Sequence, residues 1–513
     1  MNSVSKSRLV NAKRNVISGV AKQLIGIVLT FLIRTVMIYA LGAEYQGLNG
    51  LFSAILQVLN LSDLGFATAV TFILYKPIAE EDNKTICAII AFLKKAYFII
   101  GCVILGLGLI IMPFLPRLIS GSYPADINIY ILFSIYLFNA VISYWLFAYK
   151  STLLTAMQRD DVVSTVFMIS SLSIKVVQLG LLLLFRNYYI FIIVMPIGSV
   201  LNNILLQVFS KKLFPQIQPV GKMDDETRKE LVKQVKAVFV NRLSDIARNC
   251  FDDIIVSSFL GLVAVAAYDN YYYIYTAIIG IMSIIVHAVR ASVGNSIVKE
   301  PIEKNYKDLR KFTFIFMWVA GWFSVCLFTL YQPFMGIWMK GRPEVILSDI
   351  NMTLFCLYFY CFCMTYTKGV YLEAKGLFWE CRYLYIIEAF GNLGLNLVLG
   401  YFFGITGVLI ATIITIFLFN FVGGTIVLYK HYFNTSKTEF FALHLRCFLL
   451  TVVNAGITSF VCSVLPWGGV VGFAVRMLIC LILPNIIFAL FYFKTRDFKD
   501  SLSIAKRMLN RSK

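Results

Sequence analysis

Fourteen long apolar runs dominate this chain, centred in 16–40, 47–73, 88–112, 127–148, 162–185, 189–210, 234–258, 264–289, 312–333, 350–373, 383–403, 405–429, 441–464 and 469–493. A helix needs ~20 mostly apolar residues to cross a bilayer. Lipid offers the backbone no hydrogen bonds, so only helices and closed barrels span it. Barrel strands are short and alternate in polarity, which these runs do not. The expectation is an all-α polytopic membrane protein of about 14 transmembrane helices. Composition agrees, with 59% hydrophobic and 14% charged residues and a mean hydropathy of +0.79, too apolar for a soluble domain.

The net charge of +19 follows topology rather than nucleic acid. The outer loops hold four cations, Arg117, Arg186, Lys340 and Arg342, whereas the opposite segments are rich in them, as in Lys211–Lys229, Lys299–Lys311 and the tail from Lys494. That asymmetry predicts cytoplasmic N- and C-termini. The basic lead "MNSVSKSRLVNAKR" runs straight into a span, so no cleavable signal is read there. The 11 Cys lie mostly within spans without metal-ligand spacing, and "CFC" at 361–363 reads as packing.

The expected division is an N-lobe of spans one to six (1–212), a cytoplasmic linker (213–230), a C-lobe of spans seven to twelve (231–430), and an appended pair with a basic tail (431–513). The linker, "LFPQIQPVGKMDDETRKE", carries two Pro, a Gly and mixed charge; Gly221 within it is a candidate hinge. Residues 47–85 can be laid over 268–306 with Asn49 on Asn270, which suits a parallel six-span repeat.

Four spans carry polar stripes. Residues three or four apart share a helix face. Lys22, Gly26, Thr30 and Arg34 do so in span one, and Asn49, Ser53, Gln57, Asn60 and Asp63 in span two. Span seven holds Arg242, Asp245, Arg248, Asn249, Asp252 and Asp253; span eight holds Asp269, Tyr272, Thr276, Gly280, Ser283, His287 and Arg290. Facing lipid, the five charges of span seven would cost roughly 12–17 kcal/mol. The stripes are therefore expected to face each other or a hydrated cavity. Arg242–Asp245 and Arg248–Asp252 also have ion-pair spacing, and Lys22 and Arg290 can snorkel. His287 reads by default as a satisfied core histidine. Lys175, Glu388 and Arg476 lie outside any stripe and read as packing polars, and the tyrosines of "YDNYYYIY" as core or interface.

The four helices hold five cations and five carboxylates. Arginine suits a phosphate headgroup through forked, charge-assisted bonds, and carboxylates suit proton or Na⁺ exchange. No GxxxxGK[ST] loop, catalytic triad signature or HExxH occurs, and the loops leave no catalytic domain. A non-enzymatic transporter is the expectation.

The stretches "LGAEYQGLNGLFSAILQVLNLSDLGFATAVTFILYKPIAEED" (41–82), "KKAYFIIG" (94–101), "LGLVAVAAYDNYYYIY" (260–275) and "GNLGLNLVLGYFFGITGVLIATII" (391–414) resemble the polysaccharide repeat-unit flippases (Wzx type) of the MATE-like exporter superfamily. The resemblance implies two six-helix lobes meeting in a V around a central cavity. It implies translocation of an undecaprenyl-pyrophosphate-linked oligosaccharide across a bacterial plasma membrane by alternating access. By position it places the pyrophosphate contacts on Lys22, Arg34, Arg242, Arg248 and Arg290; Asn49, Gln57 and Asn60 of the span-two stripe are the further candidates for cargo contact in the cavity. Asp63, Asp245, Asp252 and Asp269 are the candidates for ion coupling or gating. No resident cofactor is expected, and Na⁺ or H⁺ is the candidate coupling ion. A glycan polymerase and glycosyltransferases are candidate partners of a monomer in contact with membrane lipids. A drug/cation antiporter of the same fold and a membrane enzyme of glycan assembly are the alternatives.

Overall fold

The computed structural model describes residues 24–60, 66–495, 497–499 and 501, with side chains for all of these except 236–249, 288 and 291. Among the described residues every regular element is helical. The helices are α1 (Leu24–Ala40), α2 (Ala43–Leu59), α3 (Phe66–Ala79), α4 (Asn83–Ile111), α5 (Ile129–Trp145), α6 (Tyr149–Ala156), α7 (Asp160–Phe185), α8 (Tyr188–Leu213), α9 (Asp225–Leu260), α10 (Leu262–Lys299), α11 (Ile302–Trp338), α12 (Asp349–Lys375), α13 (Arg382–Thr415), α14 (Gly424–Leu428), α15 (Thr438–Ser463) and α16 (Gly469–Tyr492). Nine stretches among the described residues are long and apolar enough to cross a membrane. The chain is thus a multi-pass membrane protein. The charges read in span seven keep α9 out of that set.

The chain packs into two compact units, residues 1–242 with 261–265, and residues 243–260 with 266–513. The division falls inside α9 rather than in the loop before it. The 213–230 segment is docked in the first unit. Ile217 is buried, the Gln218 amide donates to Cys87 Sγ, and a Cβ on Gly221 would lie 3.4 Å from Ala88.

In the first unit, close approaches follow from small residues. A Cβ on Gly198 of α8 would meet Ile174 of α7 at 2.0 Å, and one on Gly108 of α4 would meet Leu137 of α5 at 2.4 Å. Phe52 of α2 is clasped edge-on by Phe133 and Tyr136 of α5. The fourth expected span is broken: α5 and α6 meet at 46°, with Phe147 between them at φ 52°.

In the second unit, α11 is the central post. Gly321 admits Thr451 of α15 and Phe488 of α16, which a Cβ would meet at 2.6 and 3.0 Å. Arg310 of α11 donates to Asp497 at 2.8 Å and to Glu439 at 3.0 Å. The two last helices are part of this core.

Spans eleven and twelve form a helical hairpin. The apolar stretch Arg382–Phe433 runs for 52 residues, about 78 Å if straight, far more than the ~30 Å of hydrocarbon. It turns back at Gly404, whose φ of 58° and ψ of −137° favour glycine. A Cβ on Gly407 would sit 1.9 Å from the Leu399 carbonyl oxygen, so the arms touch backbone to backbone. Gly407→Ala should therefore destabilise the protein by about 1–3 kcal/mol, the usual penalty of overpacking. Gly394→Ala in the same helix, with nothing within 4 Å of the new carbon, should be neutral. Equal unfolding temperatures for the two variants would contradict this account of the hairpin. The return arm continues as a π-helix, Ile416–Gly423.

Candidate functional site

Inside the first unit, α1, α2, α5, α7 and α8 surround a cavity of about 480 Å³. Each helix contributes only one to a few polar groups. Lys175 of α7 donates from Nζ to Thr30 Oγ1 of α1 at 2.8 Å, and Thr30 in turn donates to the Gly26 carbonyl. Asn49 of α2 lines the same space and accepts from the Tyr136 hydroxyl at 2.6 Å. On the far wall Ser199 donates to Asn139 Oδ1 at 2.8 Å, and Asn203 Nδ2 to the Ser143 carbonyl at 2.9 Å. Phe167, Phe191, Met195 and Ile174 supply apolar surface. Among the described lining residues there is one cation, Lys175, and no carboxylate. Such a wall offers neutral donors and acceptors for hydroxyl groups, apolar faces for ring C–H surfaces, and one ammonium for an anion.

Inside the second unit lies a buried carboxylate. Asp252 of α9 is 3% exposed. Its Oδ2 accepts from the Tyr268 hydroxyl of α10 at 2.8 Å, and its Oδ1 from Asn396 Nδ2 at 2.7 Å. Thr412 Oγ1 lies 3.4 Å away. Asn392 links both arms of the hairpin, donating to Thr412 and Thr415 at 3.2 and 3.3 Å. The Gly404 turn makes this possible, because Asn396 and Thr412 stand equally far before and after it. The Asn396 Oδ1 is buried with no hydrogen-bond partner. The carboxylate thus accepts from two hydroxyls and one amide, and one further buried oxygen, Asn396 Oδ1, is left over as an acceptor; a carboxylate with a spare oxygen beside it suits a hard cation or a proton.

The structure sorts the sequence candidates. Lys22 and Asp63 lie outside the described residues, as do the side chains of Arg242, Asp245 and Arg248. Asn49 reaches the cavity with Thr30 and Ser53, whereas Gln57 is exposed and Asn60 half-buried, neither on its wall. Arg34 is half-buried one turn beyond Thr30. Asp269 is 5% exposed. Arg290 is exposed and bridges to Glu373 of α12 at 2.9 Å. His287 is exposed, so the core reading of it is corrected. The tyrosine run is core, with Tyr275 stacked on Tyr358 at 4.5 Å and Tyr271 bonded to Gln332 at 2.5 Å.

Lys175 needs the opposite correction: it lines the cavity and is no mere packing polar. Asn392, Asn396, Thr412 and Tyr268 were also missed. Their signal was present, since Asn392 and Asn396 share a helix face and Thr412 and Thr415 share another, on either side of a glycine.

Among the solved structures that share this fold are a flippase and two transporters. A lipid II flippase MurJ in an inward closed conformation superposes with a TM-score of 0.62 at 16% identity, over 93% of this chain and 98% of that one. An inward-facing multidrug resistance MATE family transporter of the MOP superfamily gives 0.61 at 13%, over 78% and 94%. A Vibrio cholerae MATE transporter gives 0.57 at 14%, over 83% and 96%. Among curated proteins none matches the sequence. Residues 12–290, more than half of the chain and nearly all of the cavity-bearing unit, match the family described as "Polysaccharide biosynthesis protein"; the chain belongs to that family, on the fold of the MOP-superfamily transporters.

Proposed function

We propose that this protein is a flippase that carries a polyprenyl-pyrophosphate-linked oligosaccharide across the bacterial plasma membrane by alternating access, driven by a cation gradient. The observation that carries the reading is the cavity wall of the first unit. Amides and hydroxyls on five helices suit sugar hydroxyls, and Lys175 suits a phosphate. The absence of a carboxylate among its described lining residues disfavours a lipophilic cation, which would have no anionic partner there. Arg34 stands one turn above Thr30 as a second phosphate contact. Asp252, with its surplus acceptor at Asn396, takes the coupling Na⁺ or H⁺. The prenyl tail stays in lipid while the head crosses. Both termini lie in the cytoplasm, where the basic segments are.

Native mass spectrometry of gently purified protein tests this directly. The expected spectrum contains a co-purified lipid bearing pyrophosphate and sugar, displaced by added cargo but not by lipophilic cations. Micromolar binding of lipophilic cations, with no sugar-lipid retained, would instead make the protein a drug exporter.

A further inference from the structure

Two tyrosine hydroxyls lie deep in the apolar packing of the first unit, where phenylalanine would fill the same space with no polar group to satisfy. Tyr136 of α5 and Tyr188 of α8 are each 1% exposed. Tyr136 meets Phe52 edge-on at 5.5 Å, and Tyr188 stacks on Phe191 at 5.9 Å. A buried hydroxyl is costly unless it is bonded, and here the bonds run in one direction. The Tyr136 hydroxyl donates to Asn49 Oδ1 at 2.6 Å, and the two phenol oxygens lie 3.0 Å apart. A phenol has one proton to give. Tyr136 gives its proton to Asn49, so it accepts from Tyr188. The short separation also fixes the Asn49 amide. O–H···O bonds run ~2.5–3.0 Å and N–H···O bonds ~2.7–3.2 Å, so the oxygen of Asn49 faces Tyr136 and its nitrogen is left for the cavity that Asn49 lines.

The same proton count sorts the rest of the wall. Asn139 of α5 accepts from Ser199 through Oδ1 at 2.8 Å, so it too has its nitrogen to offer. Lys175 spends one of its three N–H bonds on Thr30. Gln178 is turned the other way: its Nε2 donates to the Phe191 carbonyl at 3.2 Å, which leaves its oxygen as an acceptor. The wall is therefore sided, with donors from Asn49, Asn139 and Lys175 and an acceptor from Gln178, all on one cavity. A sugar hydroxyl both donates and accepts, and has no need of a face made only of donors. An oxyanion accepts only, and two amides beside an ammonium match it.

We infer that Tyr136 is a positioning residue for the cargo phosphate: it turns the Asn49 amide so that Asn49, Asn139 and Lys175 form one donor set for an oxyanion. The inference rests on the flippase reading above and adds to it the groups that select the anion. Tyr136 acts through Asn49 rather than by touching cargo. Tyr188 donates to Tyr136 and not to Asn49, so the amide keeps its bond without it.

The test measures binding of farnesyl pyrophosphate to the full-length protein in nanodiscs, with farnesol as the phosphate-free control. Wild type should bind the pyrophosphate more tightly than the alcohol. Tyr136→Phe releases the Asn49 amide to turn its oxygen inward. It should weaken pyrophosphate binding roughly tenfold or more, the scale of one hydrogen bond to a charged group, with farnesol binding unchanged. Tyr188→Phe removes an equally buried hydroxyl and should bind both probes as wild type does. Asn49→Ala leaves both tyrosines in place and should lose pyrophosphate affinity as Tyr136→Phe does, which keeps the inference testable if Tyr136→Phe does not fold. Equal pyrophosphate affinity in Tyr136→Phe and Tyr188→Phe, or a loss of farnesol binding in step with pyrophosphate, makes Tyr136 a packing residue and overturns the inference. Undiminished pyrophosphate binding by Asn49→Ala overturns it as well. In those cases the wild-type preference for pyrophosphate still stands, and with it the flippase reading. A wild type that binds farnesol as tightly as the pyrophosphate overturns both.

Discussion

Asp252→Asn should abolish ion-driven glycan export while leaving the protein folded. The replacement keeps the shape of the side chain and one carbonyl acceptor. It removes the negative charge that the Tyr268 hydroxyl and Asn396 amide now stabilise. A charge-assisted hydrogen bond is worth ~1.5–3 kcal/mol, so losing the carboxylate should weaken cation binding roughly ten- to a hundredfold. Folding should suffer little, because a buried charge is itself costly and its neutral isostere relieves that cost. Asn392 is the matching probe. It contacts Thr412 and Thr415 rather than the carboxylate, so Asn392→Ala should loosen the hairpin and lower stability more than it lowers ion dependence. The measurement is export into proteoliposomes with and without an imposed Na⁺ or H⁺ gradient. Export by Asp252→Asn that still rises with the gradient would show that the coupling ion binds elsewhere.

The membrane class and the hairpin were legible in the sequence because each leaves a one-dimensional mark. Apolar runs of spanning length gave the helices, and the break between the runs 383–403 and 405–429 falls where the structure turns, at Gly404. The break after α5 left no such mark. Phe147 takes a positive φ that no glycine or proline announces, so 127–148 read as one span. The cavity was hidden for a different reason. A stripe test asks whether one helix collects several polar groups, whereas this wall takes one or a few from each of five helices. Lys175 alone on α7 looked like packing until Thr30, Asn49 and Asn139 were brought around it. Asp252 was singled out because it belonged to a stripe; Asn396 and Thr412 were not, because each lies on a different arm of the hairpin and they meet at the carboxylate only through the turn at Gly404.

Lys175→Gln should cost most of the export activity, and it distinguishes two roles for the lysine. Its bond to Thr30 ties α7 to α1, and a structural role would end there. Glutamine can still donate to Thr30, so the variant preserves the tie and removes only the charge. An ammonium near the bilayer centre costs ~2.5–3.5 kcal/mol even on the lenient insertion scale, and no carboxylate among the described lining residues offsets it. An anionic group on the cargo would. Empty Lys175→Gln protein should therefore be no less stable than wild type, while its affinity for the pyrophosphate-linked cargo should fall roughly ten- to a hundredfold. Lys175→Arg keeps the charge in a bulkier, planar head and should retain part of the activity. Thr30→Val completes the comparison by cutting the tie and leaving the charge: it should lower stability and spare cargo affinity. If Lys175→Gln exports normally at matched protein levels while Thr30→Val does not, the lysine is a strut between two helices, and the phosphate must be held by the arginines instead.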